Sequence, residues 1–224
     1  MTRTLALIHT SSMLVPVFTD LCTRILPGWK TFHMVDESLI RNTIAAGSLD
    51  KATTRRLVAQ IQSAFEAGAH AALVTCSSIG PGIPVARQLF DQPIFRIDEA
   101  MAAQAVSMGT RVGVLATLNT TLGPTIRLVR DTAAAQGRDC EVIADCCEGA
   151  FDAVLRGDTA THDRLVRAAL DALMPKVDAI VLAQGSMARV LAAIPPESLS
   201  VPVYSSPELA IQQIRSALDP AATT

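Results

Sequence analysis

The chain has 224 residues, enough to bury one large hydrophobic core or two smaller ones. Half of the residues are hydrophobic but only 4% are aromatic, a balance that favours buried parallel strands covered by Ala-rich helices. The formal net charge is -2 and no long basic or acidic block occurs, which argues against a cationic surface that binds nucleic acid.

The composition also argues against membrane insertion, secretion and zinc binding. No run approaches the roughly 18 consecutive apolar residues of a membrane span, and Thr10, Ser11 and Ser12 interrupt the apolar N-terminal run of a would-be signal peptide. Five cysteines, an odd number without CxxC spacing, indicate a reducing compartment, so we expect a cytoplasmic protein without a metal site. Four cysteines are interpreted as small hydrophobic core residues: Cys22, Cys140, Cys146 and Cys147.

The first half of the chain alternates strand-like and helix-like segments. Apolar runs predict strands over 5–9, 31–35, 71–75 and 92–96. Apolar residues at helical spacing predict helices over 15–26, 38–46, 53–67 and 98–108. Glycines and prolines over 80–84 predict a loop after the third strand, and the absence of a P-loop lysine or a GxGxxG motif there argues against nucleotide binding.

The same pattern restarts after residue 110. Strands are predicted over 111–116, 141–144, 179–183 and 201–204, and helices over 124–136, 162–173 and 207–218. His162 and Asp163 are interpreted as residues that cap a helix. The correspondence between halves predicts an α/β fold of two similar Rossmann-like βα domains with parallel sheets. The first domain is expected over 1–97 plus 206–224, with the C-terminal helix packing back, and the second over 98–205.

Cys76 follows the third predicted strand, where an apolar run changes to small polar residues and then to glycines and prolines. In open α/β sheets, ligands bind outside the carboxyl ends of the strands. A thiol at such a place, beside hydroxyls and turn-type backbone, is suited to acid/base or nucleophilic chemistry. The matching loop of the second half has Gln184 instead, so the predicted site contains one thiol.

Polar side chains follow strands in both halves and could bind a carboxylate without a metal. Hydroxyl and backbone N–H groups at turns stabilise negative charge where it develops. Each hydroxyl alone is also explained as a turn former or helix cap, and the recurrence in both halves favours a site. The candidate substrate-binding residues are Ser11, Ser12, Ser77, Ser78, Thr117, Asn119, Thr120, Thr121, Gln184 and Ser186.

Five segments make the chain resemble the aspartate/glutamate/hydantoin racemase superfamily from nearly end to end. They are Ile-His-Thr-Ser-Ser at 8–12, Val-Asp-Glu-Ser-Leu at 35–39, Val-Thr-Cys-Ser-Ser-Ile-Gly at 74–80, Gly-Val-Leu-Ala-Thr-Leu-Asn-Thr-Thr at 113–121 and Val-Leu-Ala-Gln-Gly-Ser-Met-Ala at 181–188. The resemblance implies pseudo-dyad symmetry, an active site in the interdomain cleft and no cofactor. It implies a small-molecule carboxylate or related carbon acid as substrate, Cys76 as acid/base, and a homodimer or higher homo-oligomer.

Gln184 departs from the family pattern, in which a second cysteine serves the other face of the substrate carbon. Glutamine does not titrate, so it cannot remove or deliver a proton as a thiol does. The second acid/base would then be another group, with Asp36, Glu37 and His9 as candidates. Alternatively one thiol protonates an enediolate, as in the related arylmalonate decarboxylases, or adds to an alkene, as in the related maleate isomerases. From another class, the chain could be a non-catalytic protein that binds small carboxylates.

Overall fold

A computed structural model describes residues 2–218. They form two compact units: unit 1 comprises residues 2–97 and 207–218, and unit 2 comprises residues 98–206. Ser206, which the sequence places in the first domain, is thus part of unit 2.

Unit 1 contains a parallel four-stranded sheet. Its strands are β1 (Thr4–His9), β2 (Lys30–Val35), β3 (Ala71–Val74) and β4 (Ile94–Arg96), in the order β2-β1-β3-β4. Its helices are α1 (Val15–Ile25), α2 (Glu37–Ala46), α3 (Lys51–Glu66) and α4 (Ile83–Arg87). A 3-10 helix, Ser77–Gly82, connects β3 to α4.

The two central strands of this sheet, β1 and β3, are buried on both faces, which explains why they are largely apolar. Leu7 and Leu73 pack on one face with Phe18 of α1. Ile8 and Val74 pack on the other face, in the cluster that contains the buried side chains of α3. Because side chains alternate along a strand, the odd-numbered residues of β1 and β3 face α1 and the even-numbered ones face α3. This alternation fixes the directions of the side chains at the ends of both strands.

Unit 2 repeats the arrangement. Its strands are β5 (Arg111–Ala116), β6 (Glu141–Cys146), β7 (Ala179–Leu182) and β8 (Val203–Ser205), again all parallel and in the order β6-β5-β7-β8. Its helices are α5 (Glu99–Met108), α6 (Asn119–Ala135), α7 (Ala150–Leu155), α8 (Thr159–Leu173) and α9 (Ala188–Ala192). The last helix of the chain, α10 (Ser206–Leu218), packs in the core of unit 1 through Ala210, Ile211 and Ile214.

The predicted fold class is confirmed, since both halves are α/β with a parallel sheet of the same strand order. Two predictions of local structure were wrong, and two short helices were not predicted. The expected loop over 80–84 is the end of a 3-10 helix and the start of α4, and α6 begins at Asn119 rather than at Pro124. The short helices α7 and α9 were not predicted, because five or six residues are too few for a helical period to be recognised.

Gly80 allows close packing beside the Cys76 segment. A Cβ atom at this position would lie 2.3 Å from Nε of Arg96, a buried residue of β4. Any larger residue at position 80 would therefore require the Arg96 side chain to move.

Two further features concern the part of the chain from residue 2 to residue 218. No helix in it is both long enough and apolar enough to cross a membrane. No group of three or more His, Cys, Asp or Glu side chains in it could hold a metal ion.

Candidate functional site

Cys76 lies beyond the carboxyl end of β3, where the backbone enters the 3-10 helix Ser77–Gly82. Its side chain is partly exposed. The sulfur is within hydrogen-bonding range of the Thr10 hydroxyl, of the hydroxyl and backbone N–H of Ser78, and of the backbone N–H of Ile79. The sheet thus brings the loop after β1 and the loop after β3 to one sulfur atom.

The electrostatic surroundings of Cys76 have opposing effects. Burial raises the pKa of the Cys76 thiol, while the hydrogen bonds from Thr10, Ser78 and Ile79 act to lower it. Burial has the larger effect, so the thiol is protonated at neutral pH and can donate a proton. The same hydrogen bonds stabilise the thiolate once the proton has left.

Thr10 is the site residue that the sequence reasoning missed. It is buried, and its hydroxyl reaches the Cys76 sulfur. The alternation of strand side chains was the signal that could have identified it. Ile8 pairs with Val74, so Thr10 and Cys76, each two residues further along, share the face toward α3.

The predicted serines of unit 1 occupy different environments. Ser78 contacts Cys76 directly, and Ser77 is buried beside it. Ser11 caps a short 3-10 helix, accepting a hydrogen bond from the backbone N–H of Met13 at 3.4 Å. Ser12 is exposed and donates a hydrogen bond to Oε1 of Glu37 at 3.4 Å.

The three candidates for a second acid/base differ in the exposure and the hydrogen-bond partners of their side chains. Asp36 caps α2 and accepts hydrogen bonds from Gln60 and from Arg56, each at 2.7 Å. Burial acts to raise the pKa of Asp36, but hydrogen bonds from Ser38, Arg56 and Gln60 together hold that pKa below its usual value. His9 is fully buried with both ring nitrogens hydrogen-bonded. Glu37 is exposed.

Gln184 occupies in unit 2 the position that Cys76 occupies in unit 1, following β7 and entering a 3-10 helix, Gly185–Met187. Its amide oxygen accepts a hydrogen bond from the backbone N–H of Thr117 at 2.5 Å. The contact joins the carboxyl end of β7 to that of β5. Within residues 2–218 the –NH2 group of Gln184 has no protein partner.

Several buried polar atoms of unit 2 lack a hydrogen-bond partner within the described chain. Three of them lie at or just after strand ends: the hydroxyls of Thr117 and Thr120 near the end of β5, and that of Ser206 after β8. A buried hydroxyl without a partner costs free energy, so a group of them calls for a polar ligand or ordered water. Thr117 and Thr120 were predicted to bind substrate.

The remaining predicted residues of unit 2 lie near these hydroxyls in sequence. Asn119 is the exposed first residue of α6, and Thr121 is buried in the same turn. Ser186 is half-buried in the 3-10 helix after Gln184. Asn119, Thr120 and Thr121 thus form the first turn of α6.

The segment that follows Gln184 is fastened to α8. Arg189 of α9 forms two hydrogen bonds with the Asp163 carboxylate, at 2.5 and 2.7 Å, and Asp163 Oδ1 lies 2.8 Å from Nδ1 of His162. The predicted capping role of His162 was wrong, since Asp158 caps α8 and His162 is fully buried. Nε2 of His162 is another buried atom without a partner in the described chain.

A cavity of about 380 Å³ lies at the other end of unit 2, between the end of α6 and the start of β6. Arg130, Arg138 and Cys140 line it. It contains none of the predicted site residues.

Comparisons with known proteins agree with the fold. A family model described as Asp/Glu/Hydantoin racemase matches residues 8–214. No curated protein sequence matches the chain.

Similar solved structures include the allantoin racemase from Klebsiella pneumoniae, at 19% identity and a TM-score of 0.71, covering 98% of this chain and 89% of that one. Another is a glutamate racemase from Francisella tularensis, at 14% identity and a TM-score of 0.76, with coverage of 100% and 84%. A third is the aspartate racemase of Picrophilus torridus, at 13% identity and a TM-score of 0.74, with coverage of 96% and 94%. At these identities the likeness shows the fold.

Proposed function

Because this chain belongs to the Asp/Glu/hydantoin racemase family, we propose that it is a cofactor-independent racemase or isomerase of a small carboxylate or related carbon acid. The observation that carries the proposal is the environment of Cys76. Its thiol lies at the carboxyl end of a central parallel strand, contacted by Thr10, Ser78 and Ile79. These contacts stabilise the thiolate, and the raised pKa favours the thiol, so the group can exist in both states that proton transfer requires.

The proposed substrate-binding groups stabilise the charge that proton removal creates. Loss of a proton beside a carboxylate places negative charge on its oxygens, and fixed donors aimed at those oxygens lower the barrier. The –NH2 group of Gln184 and the unpartnered hydroxyls of Thr117 and Thr120 are such donors.

A second candidate function is decarboxylation with one thiol. Gln184 supports it, because an amide replaces the thiol at the equivalent position of unit 2 and cannot exchange a proton. In that reaction carbon dioxide leaves and Cys76 protonates the resulting enediolate from one side. Racemisation instead requires a second titratable group, and Glu37 is the exposed candidate among those predicted.

The experiment that separates these functions uses deuterated buffer. The separate enantiomers of aspartate, glutamate and allantoin, together with phenylmalonate, are incubated with the protein and followed by NMR and chiral chromatography. Exchange at the α-carbon with loss of optical purity supports racemisation. Loss of a carboxylate from phenylmalonate supports decarboxylation. Thermal stabilisation by a probe without any turnover would support the carboxylate-binding alternative and contradict both enzymatic proposals.

The role of Cys76 is tested in the same assay with two matched variants. Cys76→Ala should reduce turnover by at least about a thousandfold with an unchanged circular dichroism spectrum, because the proton-transfer group is lost. Cys140→Ala removes a partly exposed thiol next to β6, outside the predicted site, and should keep wild-type turnover. Substantial activity in Cys76→Ala would place the chemistry on another residue.

A further inference from the structure

Hydrogen-bonded polar side chains, called here the His9 network, cross the sheet of unit 1 on the face toward α1. Nδ1 of His9 lies 2.8 Å from Oγ1 of Thr75, and Nε2 of His9 lies 2.9 Å from Nδ1 of His33. Nε2 of His33 lies 3.1 Å from Oγ1 of Thr19 on α1. The two imidazole rings stack with centroids 5.1 Å apart, and Phe18 covers His9. The His9 network links the end of β3, the end of β1, the middle of β2 and helix α1.

At both ends of the His9 network, a hydroxyl donates a hydrogen bond to a backbone carbonyl. The Thr75 hydroxyl donates to the carbonyl of Ile8 at 3.1 Å, and the Thr19 hydroxyl donates to the carbonyl of Val15 at 2.8 Å. Because both hydroxyls donate to carbonyls, the two N–H hydrogens of the neutral rings serve only two of the three ring contacts at a time. Every nitrogen of the two rings is engaged within unit 1, so neither ring is free to act on a substrate.

The His9 network adjoins Cys76 in the sequence and in the sheet. His9 is followed by Thr10, and Thr75 is followed by Cys76. By alternation along β1 and β3, the His9–Thr75 contact lies on the α1 face and the Thr10–Cys76 contact lies on the α3 face. These are consecutive cross-strand contacts at the ends of two adjacent strands. The first contact and the backbone hydrogen bond from Thr75 N–H to the Ile8 carbonyl, at 3.0 Å, both join the two strands one residue before the second contact.

We propose that His9 is a positioning residue for Cys76, holding Thr75 so that the Thr10 hydroxyl stays within hydrogen-bonding range of the Cys76 sulfur. His9 then acts on the substrate only through Cys76. The inference rests on the proposed function for the importance of Cys76 in catalysis, but the geometry it describes is testable without any substrate.

The test is the rate at which iodoacetamide alkylates Cys76, measured by mass spectrometry of its peptide as a function of pH. His9→Phe keeps a ring against Phe18 but removes both polar contacts. We expect alkylation of Cys76 at pH 8 to slow about tenfold and the apparent pKa of the thiol to rise by about one unit, because a hydrogen bond that favours the thiolate is weakened. A merely structural role would lower thermal stability and leave the pH–rate profile at the wild-type position, which would overturn the proposal.

A double-mutant cycle tests whether His9 acts through Thr10. Thr10→Val should also slow alkylation about tenfold, because it removes the same hydrogen bond at its source. The double variant should be slowed about tenfold and not about a hundredfold, since both changes remove one interaction. Additive effects would contradict the proposed route. His70→Gln alters an exposed histidine before β3, at the opposite end of that strand, and should behave as wild type.

Two more variants keep the test decisive if His9→Phe does not fold. Thr75→Val is nearly isosteric and removes the hydroxyl that contacts His9, so it should reproduce the slow alkylation. His9→Gln offers an amide that can reach both neighbours, and its alkylation rate should recover to within about threefold of wild type. Wild-type alkylation in Thr75→Val would overturn the proposal, as would failure of His9→Gln to recover. If no substrate is found, these measurements still stand, so failure of the proposed function is distinguishable from failure of this inference.

Discussion

Cys76 and Gln184 hold equivalent backbone positions and have different chemistry. Each follows its strand by two residues and precedes a 3-10 helix, with φ and ψ of -133° and 117° at Cys76 and -130° and 140° at Gln184. The thiol can exchange a proton, whereas the amide can only donate and accept hydrogen bonds. The predicted site is therefore asymmetric because glutamine in unit 2 stands at the backbone position that cysteine occupies in unit 1.

Gln184 is predicted to bind the substrate carboxylate through its –NH2 group. In Gln184→Glu, a carboxylate oxygen still accepts from the Thr117 N–H, but a negative charge replaces the donor. We expect KM to rise at least about tenfold, because a hydrogen bond to a charged group is replaced by repulsion. The measurement is steady-state kinetics with the probe that shows turnover.

The matched variant for this position is Gln184→Ala. It removes the Thr117 contact as well, so it should lower the free energy of unfolding by about 1–2 kcal/mol more than Gln184→Glu does. An unchanged KM in Gln184→Glu would mean that the –NH2 group faces no anion.

The start of α2 depends on Asp36, which caps the helix and pairs with Arg56 of α3. Asn is an equally good helix cap, so Asp36→Asn keeps the cap and removes the charge. We expect this variant to retain turnover within about threefold and to lose about 1 kcal/mol of stability from the ion pair, measured by urea denaturation. A drop in turnover of about a hundredfold at unchanged stability would instead identify Asp36 as the second acid/base.

The sequence predicted elements well where a period or a long apolar run existed. Each of the eight strands overlaps a predicted apolar run, and the fully buried β3 and β7 are apolar throughout because strands buried on both faces carry apolar side chains on both. Pro124 was misleading: proline favours the first turn of a helix, yet here it is the sixth residue of α6. Pairing between strands was not predicted, and Thr10 was missed for that reason, since its role depends on which residues of β1 and β3 share a face.

The two units have the same strand order and differ in how their strand-end polar groups are satisfied. In unit 1, His9, Thr75 and Asp36 have protein partners. In unit 2, the hydroxyls of Thr117, Thr120 and Ser206 have none within the described chain. The named strand-end groups of unit 1 are thus held by protein partners, whereas those of unit 2 lack them.

Acid should destabilise the whole molecule through the buried histidines of unit 1. Burial, with a smaller contribution from the charge of His33, lowers the pKa of His9 from 6.5 to about 4, and burial also lowers the pKa of His33. The unfolded chain therefore binds more protons than the folded chain between about pH 6.5 and pH 4. The free energy of unfolding decreases as the pH is lowered through this window, and these histidines leave it unchanged at higher pH.

The magnitude from His9 alone is about 2 kcal/mol between pH 7.5 and pH 4.5. Urea denaturation at pH 7.5, 6.0 and 4.5 measures it. His9→Phe removes the titrating group, so its unfolding free energy should fall by about 2 kcal/mol less than that of wild type over this range. Equal slopes in His9→Phe and wild type would show that His9 is as easily protonated in the folded chain as in the unfolded one, contrary to its burial between Phe18, Thr75 and His33.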